Sequence, residues 1–329
     1  MRHLFSCFFR IPVIILLHAC FLPSLIIAQN DSASLITVFQ KKNYVQPYFG
    51  SFERSIKFIS KENDRDINNL YFSPNAAPFA GISLNYKKLN IYLETAIPNT
   101  HIVDRENTEV RGSAVFINHF KQNWGVTFFA SWNKGLLMYV PGDPMYQSRN
   151  DLKVLTTGAH IYSIFNGKGF SYSSANSAAS LQTKSKGSFI IMTTPLFRKI
   201  SSKESIIPES LQPLHLTGEN SPSKQIQFLS LQCRPGYIYN FIFNGGKYFF
   251  SPAFYAGAGP DYHSFKTDNV QHSGFNLTVG YRIKIVTGIN TSDFYLTFEY
   301  LQDSNRTFLY KSLISNTYSE ISCNMGFRF

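Results

Sequence analysis

Tyr318–Phe329 reads YSEISCNMGFRF, and this stretch decides the fold. Ile321, Cys323, Met325, Phe327 and Phe329 fall on one face, and Tyr318, Glu320, Ser322, Asn324, Gly326 and Arg328 on the other. Strict period-two alternation describes a strand with one apolar and one polar face. On the edge of a soluble sandwich that apolar row would invite aggregation. In a membrane barrel it meets lipid while the polar row faces the lumen.

The pattern repeats along the chain. Ala80, Ile82, Leu84 and Tyr86 alternate with Gly81, Ser83 and Asn85; Trp124, Val126, Phe128, Ala130 and Trp132 alternate with Gly125, Thr127, Ser131 and Asn133. Leu89, Ile91 and Leu93, then Tyr281, Ile283 and Ile285, then Phe294, Leu296, Phe298 and Tyr300 do the same against polar neighbours. Each run is about 10 residues, the length a tilted strand needs to cross a bilayer. Short connectors lie at Lys87-Lys88, 121–123, 166–169, 244–246 and 288–290, and the Asn-Gly and Gly-Gly pairs in 166–169 and 244–246 suit tight hairpins. Longer polar connectors at 62–75, 98–108, 134–150, 200–225, 262–272 and 304–316 alternate with them. Short turns on one side and long loops on the other are a barrel pattern.

The expected architecture is therefore all-β, a single-chain transmembrane antiparallel β-barrel with short periplasmic turns and longer outer loops. Thirteen segments read as strands: near 51–61, 77–87, 89–97, 109–120, 124–134, 152–165, 170–181, 186–199, 226–243, 247–261, 273–287, 293–303 and 317–329. A single-chain bacterial barrel closes with an even number, so the segment between 170 and 225 is misread somewhere. About twelve strands are expected, with fourteen next.

Composition agrees. Of 329 residues, 16% are aromatic and only 16% charged, against about 25% charged in an ordinary soluble domain. Mean hydropathy is −0.12, and beyond the N-terminus no apolar run is long enough for a membrane-spanning helix. Residues 1–28 read as a signal peptide, with Arg2, His3 and Arg10 before an apolar stretch and a small residue, Ala28, at the cleavage point. An uncleaved anchor and a lipoprotein modified at Cys20 are the alternatives. Residues 29–47 read as a polar periplasmic lead-in and 48–329 as the barrel. Cleavage lowers the net charge from +11 to +9, with the basic residues scattered. Scattered charge on an exported chain argues against nucleic acid as a partner. Cys233 and Cys323, isolated in sequence, form neither a disulfide framework nor a metal motif.

An alternating last strand that ends on Phe329 resembles the C-terminal targeting strand of bacterial outer-membrane barrels. The resemblance implies Ile321, Cys323, Met325, Phe327 and Phe329 as the outward row presented to the barrel-assembly machinery, and outer-membrane lipid as the other partner. Further stretches resemble a Bacteroidetes outer-membrane family known as domain of unknown function 4421. They are FSPNAAPFAGISLNYK (Phe72–Lys87), the Asn133-Lys134-Gly135 step after an aromatic strand, IFNGKGFSYSSA (Ile164–Ala175), KSKGSF (Lys184–Phe189) and GYIYNFIFNGGKYFF (Gly236–Phe250). That family implies a barrel and carries no activity, so no functional residue is transferred from it. The Ser/Ala-rich 173–180 departs from the polar, charged character expected there.

Alternation sends Glu94, Arg282, Lys284, Glu299, Glu320 and Arg328 into the lumen. A hairpin about Gly288–Asn290 sets Arg282 and Glu299 at similar heights. Two readings follow: a charge ladder that braces the wall, or a constriction that filters solutes by charge. Left unpaired, such buried charges would each cost several kcal/mol. Enzyme motifs are missing: there is no Gly-x-Ser-x-Gly elbow and no His-Glu-x-x-His. Asp261-Tyr262-His263-Ser264 places an acid, a base and a hydroxyl in one stretch, and reads as a polar loop cluster. No cofactor motif is found; Gly257-Ala258-Gly259 sits in a strand with no helix after it. The expectation is a non-enzymatic outer-membrane barrel with a structural, passive-channel or small-solute transport role. The alternatives are a lipid-modifying or proteolytic barrel and a periplasmic or secreted β-sandwich binding protein.

Overall fold

A computed structural model describes residues 35–60, 69–73, 77–87, 89–97, 100, 111–140, 146–207, 223–266, 271–309 and 312–329. The signal peptide lies outside the described residues, as do most of the connectors at 62–75, 98–108 and 200–225. In chain order the elements are β1 (Ile36–Thr37), β2 (Tyr44–Ser60), β3 (Asn69–Ser73), β4 (Ala77–Tyr86), β5 (Leu89–Ala96), β6 (Arg111–Phe120), β7 (Trp124–Tyr139) and β8 (Tyr146–Ile164). There follow helix α1 (Tyr172–Ser177), β9 (Leu181–Gln182), β10 (Lys186–Ser201), β11 (Gln225–Phe243), β12 (Tyr248–Lys266), β13 (Gln271–Asn290), β14 (Phe294–Leu309) and β15 (Ser312–Arg328).

Antiparallel pairing runs from β4 through β8, on through β10 to β15, and back through β2 to β4. The last strand pairs with the first barrel strand over Arg328↔Tyr44 to Ser312↔Ser60. The result is a closed antiparallel ring of 12 strands. Closure satisfies every ladder and leaves no edge, which lipid requires because it offers backbone groups no partners. Large apolar side chains cover the outside. Ile321 is 64% exposed and Phe329 61%, with Met325 and Phe327 beside them and Phe128, Phe254 and Phe298 on other strands. Trp124 and Trp132 both face outward, eight residues apart on β7. Their spacing is about 26 Å along the strand, close to the height of an apolar band flanked by aromatic girdles.

The parity conflict resolves at 170–181, which carries the helix Tyr172–Ser177 and no strand of the barrel wall. Ser171 caps α1, its hydroxyl accepting from the Ser174 amide at 3.1 Å. The helix ends on Ala178 at φ 52°. It folds into the periplasmic end of the lumen, with Phe170, Tyr172 and Ala175 packed on Tyr162, Met192, Ile238 and Tyr255. Small residues at 173–180 fit because the segment lies inside a ring of fixed diameter. The lead-in also docks: β1 pairs with β9, and Lys41 reaches Asp293 at 2.6 Å. That ammonium, with the Ser292 hydroxyl, holds the Asp293 carboxyl below its usual range. The first barrel strand begins at Tyr44, earlier than 48.

Three expected loops are mostly strand: β7 continues to Tyr139 and β8 begins at Tyr146 within the expected 134–150 connector. β12 and β13 run on until only 267–270 separates them, and β14 and β15 until only 310–311 does. These strands reach 16 to 20 residues, beyond the 9–11 a bilayer needs, so the barrel stands above the membrane. Face polarity inverts there. On β2 the outward side carries Phe49 low down and Glu53 and Lys57 higher up, while the inward side becomes Ile56 and Phe58. The outer end is filled by Ile56, Phe58, Leu70, Phe72, Leu136, Met138 and further apolar side chains. Alternation is as strong above the membrane as within it, so sequence pattern alone placed loops where ladders continue.

The wall changes width partway up. Low down, β4, β5 and β6 stand between β2 and β7; higher, only β3 does, pairing Ile56↔Phe72 on one side and Leu137↔Ser73 on the other. Losing two strands shortens the circumference by about 10 Å. A bulge between Lys134 and Leu136 on β7 makes the transfer, with Gly135 at φ 81°. Below it β7 pairs with β6, above it with β3. Gly135→Val would force a branched side chain into the left-handed region, at a cost of about 2 kcal/mol. The heat-modified gel form should then appear at a lower temperature than in the wild type, whereas a substitution at outward-facing Lys134 should leave it unchanged.

Candidate functional site: the charged chamber of the lumen

Between the apolar outer plug and the α1 plug the lumen is polar. β11, β13 and β14 supply its most buried centre. Arg234, 1% exposed, donates from Nε to Gln232 Oε1 at 2.9 Å, from Nη1 to both Asp303 oxygens at 3.2 and 3.1 Å, and from Nη2 to Asn305 Oδ1. Asn305 Nδ2 donates to Asp303 at 3.0 Å. Arg282 reaches the same carboxylate at 3.7 Å. Gly280 makes the arrangement possible: a Cβ there would lie 2.6 Å from Ser304 O and 2.9 Å from Arg234 Nη2.

Arg282 therefore faces Asp303, and Glu299 belongs to Lys284, whose Nζ lies 2.7 Å from Glu299 Oε1. The hairpin turns at 291–293, not at Gly288–Asn290, so the register is Arg282↔Asp303 and Val286↔Glu299. β13 continues its ladder through Gly288 because Gly is tolerated there under the close approach of Leu296 O. Glu320 accepts from the Tyr318 hydroxyl at 2.7 Å. Glu94, Arg282, Lys284, Glu299 and Glu320 line one cavity of about 110 Å³, floored by Asn176 and Ser177 of α1 and its C-terminus.

Arg328 points inward but stands apart from this group. It donates to Ala178 O and Asn290 Oδ1, each at 2.6 Å, and packs over Phe39 and Tyr295. Its work is to tie the α1 plug and the lead-in to the wall. Of the outward row, Ile321, Met325, Phe327 and Phe329 are exposed and Cys323 is half-buried.

A second cavity of about 110 Å³ lies beside the first. Arg54, Arg198, Arg234, Arg282 and His160 border it together with Glu94 and Asp303. His160 Nδ1 is 2.9 Å from Thr194 Oγ1, and its ring stacks on Phe129. Sequence reasoning missed Arg54, Arg198, Arg234 and Asp303 as lumen groups. Gln232 and Arg234 alternate with Leu231, Cys233 and Pro235, so the period-two signal was present. Arg54 follows Phe52 and precedes Ile56 on the same inward face, which hides it from a rule that equates inward with polar.

The other histidines do not converge. His263 Nδ1 pairs with Asn276 at 3.0 Å and stacks on Phe265, as does His272; His119 lies against Trp124. His101 and His215 lie outside the described residues. Asp261, in the same stretch as His263, is 2% exposed, with Oδ1 unpartnered. Among the described residues no group of three His, Cys, Asp or Glu side chains could hold a metal.

Removing one member of a buried ion cluster strands the others. Asp303→Asn should cost about 3 kcal/mol, because two guanidiniums depend on it, and Glu299→Gln less, because Lys284 is the single cation beside it. Unfolding in urea from detergent micelles should rank the two in that order.

Curated protein sequences contain no match to this chain. Among solved structures, the Escherichia coli outer membrane protease OmpT aligns over 90% of this chain and 100% of its own, at 8% identity and TM-score 0.40. Ail of Yersinia pestis aligns over 87% and 99%, at 11% identity and TM-score 0.21. The P. putida toluene transporter TodX aligns over 92% and 95%, at 8% identity and TM-score 0.20. At such scores nothing about activity passes from them to this chain. The family model described as Domain of unknown function (DUF4421) matches residues 33–329, the whole barrel with its lead-in, and the chain belongs to that family.

Proposed function

We propose that this protein is an integral outer-membrane barrel with a closed lumen, a non-enzymatic protein that takes up or holds a small solute in its charged chamber. One observation carries the reading. Apolar side chains fill the lumen at the outer end, α1 and its contacts fill it at the periplasmic end, and two cavities of about 110 Å³ remain between. A passive pore needs a continuous wet path, and both ends oppose one. The outward aromatic and aliphatic band, and both barrel ends of the chain on the short-turn side, support the outer membrane as its site. The exposed apolar row on β15, Ile321, Met325 and Phe327 with Phe329 beyond it, supports delivery by the barrel-assembly machinery.

Activity is not part of the reading: His160 pairs with the Thr194 hydroxyl and His263 with the Asn276 side chain, and neither contact joins a histidine to a carboxylate. Purified full-length protein in a planar bilayer should show no steady open channel, and deletion of 171–182 should produce one. Stepwise ohmic conductance from the intact protein would overturn the closed lumen. Removing Phe329 should lower the folded, heat-modifiable fraction in cells without altering refolding into detergent.

A further inference from the structure

A row of positive charge crosses the outside of the wall above the outer girdle. Lys134 on β7 and Lys153 on β8 are direct ladder partners, and Arg111 on β6 stands opposite Lys134 on its other side. Lys199 on β10 lies diagonally from Lys153, whose own partner on that strand is Ser201. These side chains face outward. Leu152 and Val154, on either side of Lys153, are buried in the outer apolar plug, as is Ile200 beside Lys199. Lys134 and Lys153 are exposed and Lys199 is half-buried. Direct partners hold their Cβ atoms about 5 Å apart, and diagonal ones about 7 Å.

Like charges directly opposite one another destabilise a sheet, and the chain does not offset them. Among the described residues no carboxylate forms an ion pair with Lys134, Lys153 or Lys199. Asp151, two residues along β8 from Lys153, is already engaged: Arg149 Nε reaches it at 3.0 Å, and it accepts from the Lys203 and Glu204 amides at 3.1 and 3.3 Å. A shared anion from outside the chain would turn the repulsion into attraction.

Height decides which anion the row meets. Trp132 and Leu155 are exposed ladder partners, each two residues to the membrane side of Lys134 and Lys153. Two residues are about 7 Å along a strand. The ammoniums therefore stand where the aromatic girdle gives way to headgroups, on stems that lie along the apolar wall. Charge then selects among headgroups. A phosphodiester carries a single negative charge, whereas a phosphomonoester carries up to about two and offers three acceptor oxygens. Lysines on three adjacent strands match the second.

We infer that Lys134, Lys153 and Lys199 form a site on the outer wall for a phosphomonoester-bearing lipid headgroup of the outer leaflet, whose acyl chains lie down the barrel past Trp132 and Leu155. The site is independent of the lumen and rests on the outer-membrane placement of the barrel.

Native mass spectrometry of the full chain in non-ionic detergent tests it, with dioleoyl phosphatidic acid as the phosphomonoester probe. Phosphatidic acid should bind about fivefold more tightly than dioleoyl phosphatidylglycerol and about tenfold more tightly than dioleoyl phosphatidylcholine. Lys134→Gln with Lys153→Gln should weaken phosphatidic acid about tenfold, with heat-modifiable migration as the check on folding. Lys87→Gln with Lys247→Gln removes the same charge from exposed lysines at the periplasmic end and should leave binding unchanged. Should the first pair fail to fold, Lys199→Gln alone should weaken binding about threefold. Equal binding of phosphatidylglycerol, binding unchanged in the folded outer variant, or an equal loss in the periplasmic variant overturns the inference alone. A chain that stays dispersed without detergent overturns instead the membrane barrel beneath it.

Discussion

Lipid offers no hydrogen bond to a peptide group, and from that constraint the rest of this structure follows. Each N–H and C=O within the bilayer must find its partner on a neighbouring strand, so β15 has to return to β2 and the sheet has to close. Closure fixes a diameter, and the diameter fixes what fits inside. Polar side chains from facing walls come close enough to pair directly, as Lys284 does with Glu299. Where the space is wider, a chain segment fills it: α1 lays Tyr172 and Ala175 against Tyr162 and Tyr255, and its serines keep the rest of the helix slim enough for the lumen.

The interior is layered by what surrounds it. Within the membrane the outer face is apolar, so the inner face can hold charges that pair with one another across a low-dielectric space. Above the membrane the outer face meets water, and the same ring turns its apolar side inward, as a soluble barrel does. The charged chamber is thus held between two dry plugs. Arg234 and Asp303 tolerate burial there because every donor on the one meets an acceptor nearby. Arg54 lacks that completeness, and it sits beside the one place where the strand count of the wall changes.

That change explains two stretches that read in the sequence as family landmarks without a purpose. Asn133-Lys134-Gly135 is the bulge at which β7 exchanges β6 for β3, and Phe72–Lys87 carries the chain from β3 down into β4. Both lie at the step, so the resemblance tracked a geometric feature of the wall.

Sequence alone determined the class of fold, the even strand count near twelve, the outward row through Phe329 and the inward direction of Glu94, Arg282, Lys284, Glu299, Glu320 and Arg328. All of these are local, because side-chain alternation in a strand depends on nothing beyond the strand itself. The tertiary structure decided the rest. Which charge meets which depends on register, and register turned on a hairpin placed at 291–293 in place of 288–290. The helix at 172–177, the ladders through 262–266 and 304–309, and the membership of Arg54 and Arg198 in the chamber depend on diameter, on the water line and on the crossing of distant strands. None of these is a property of any ten residues taken together; each is fixed only when the ring closes.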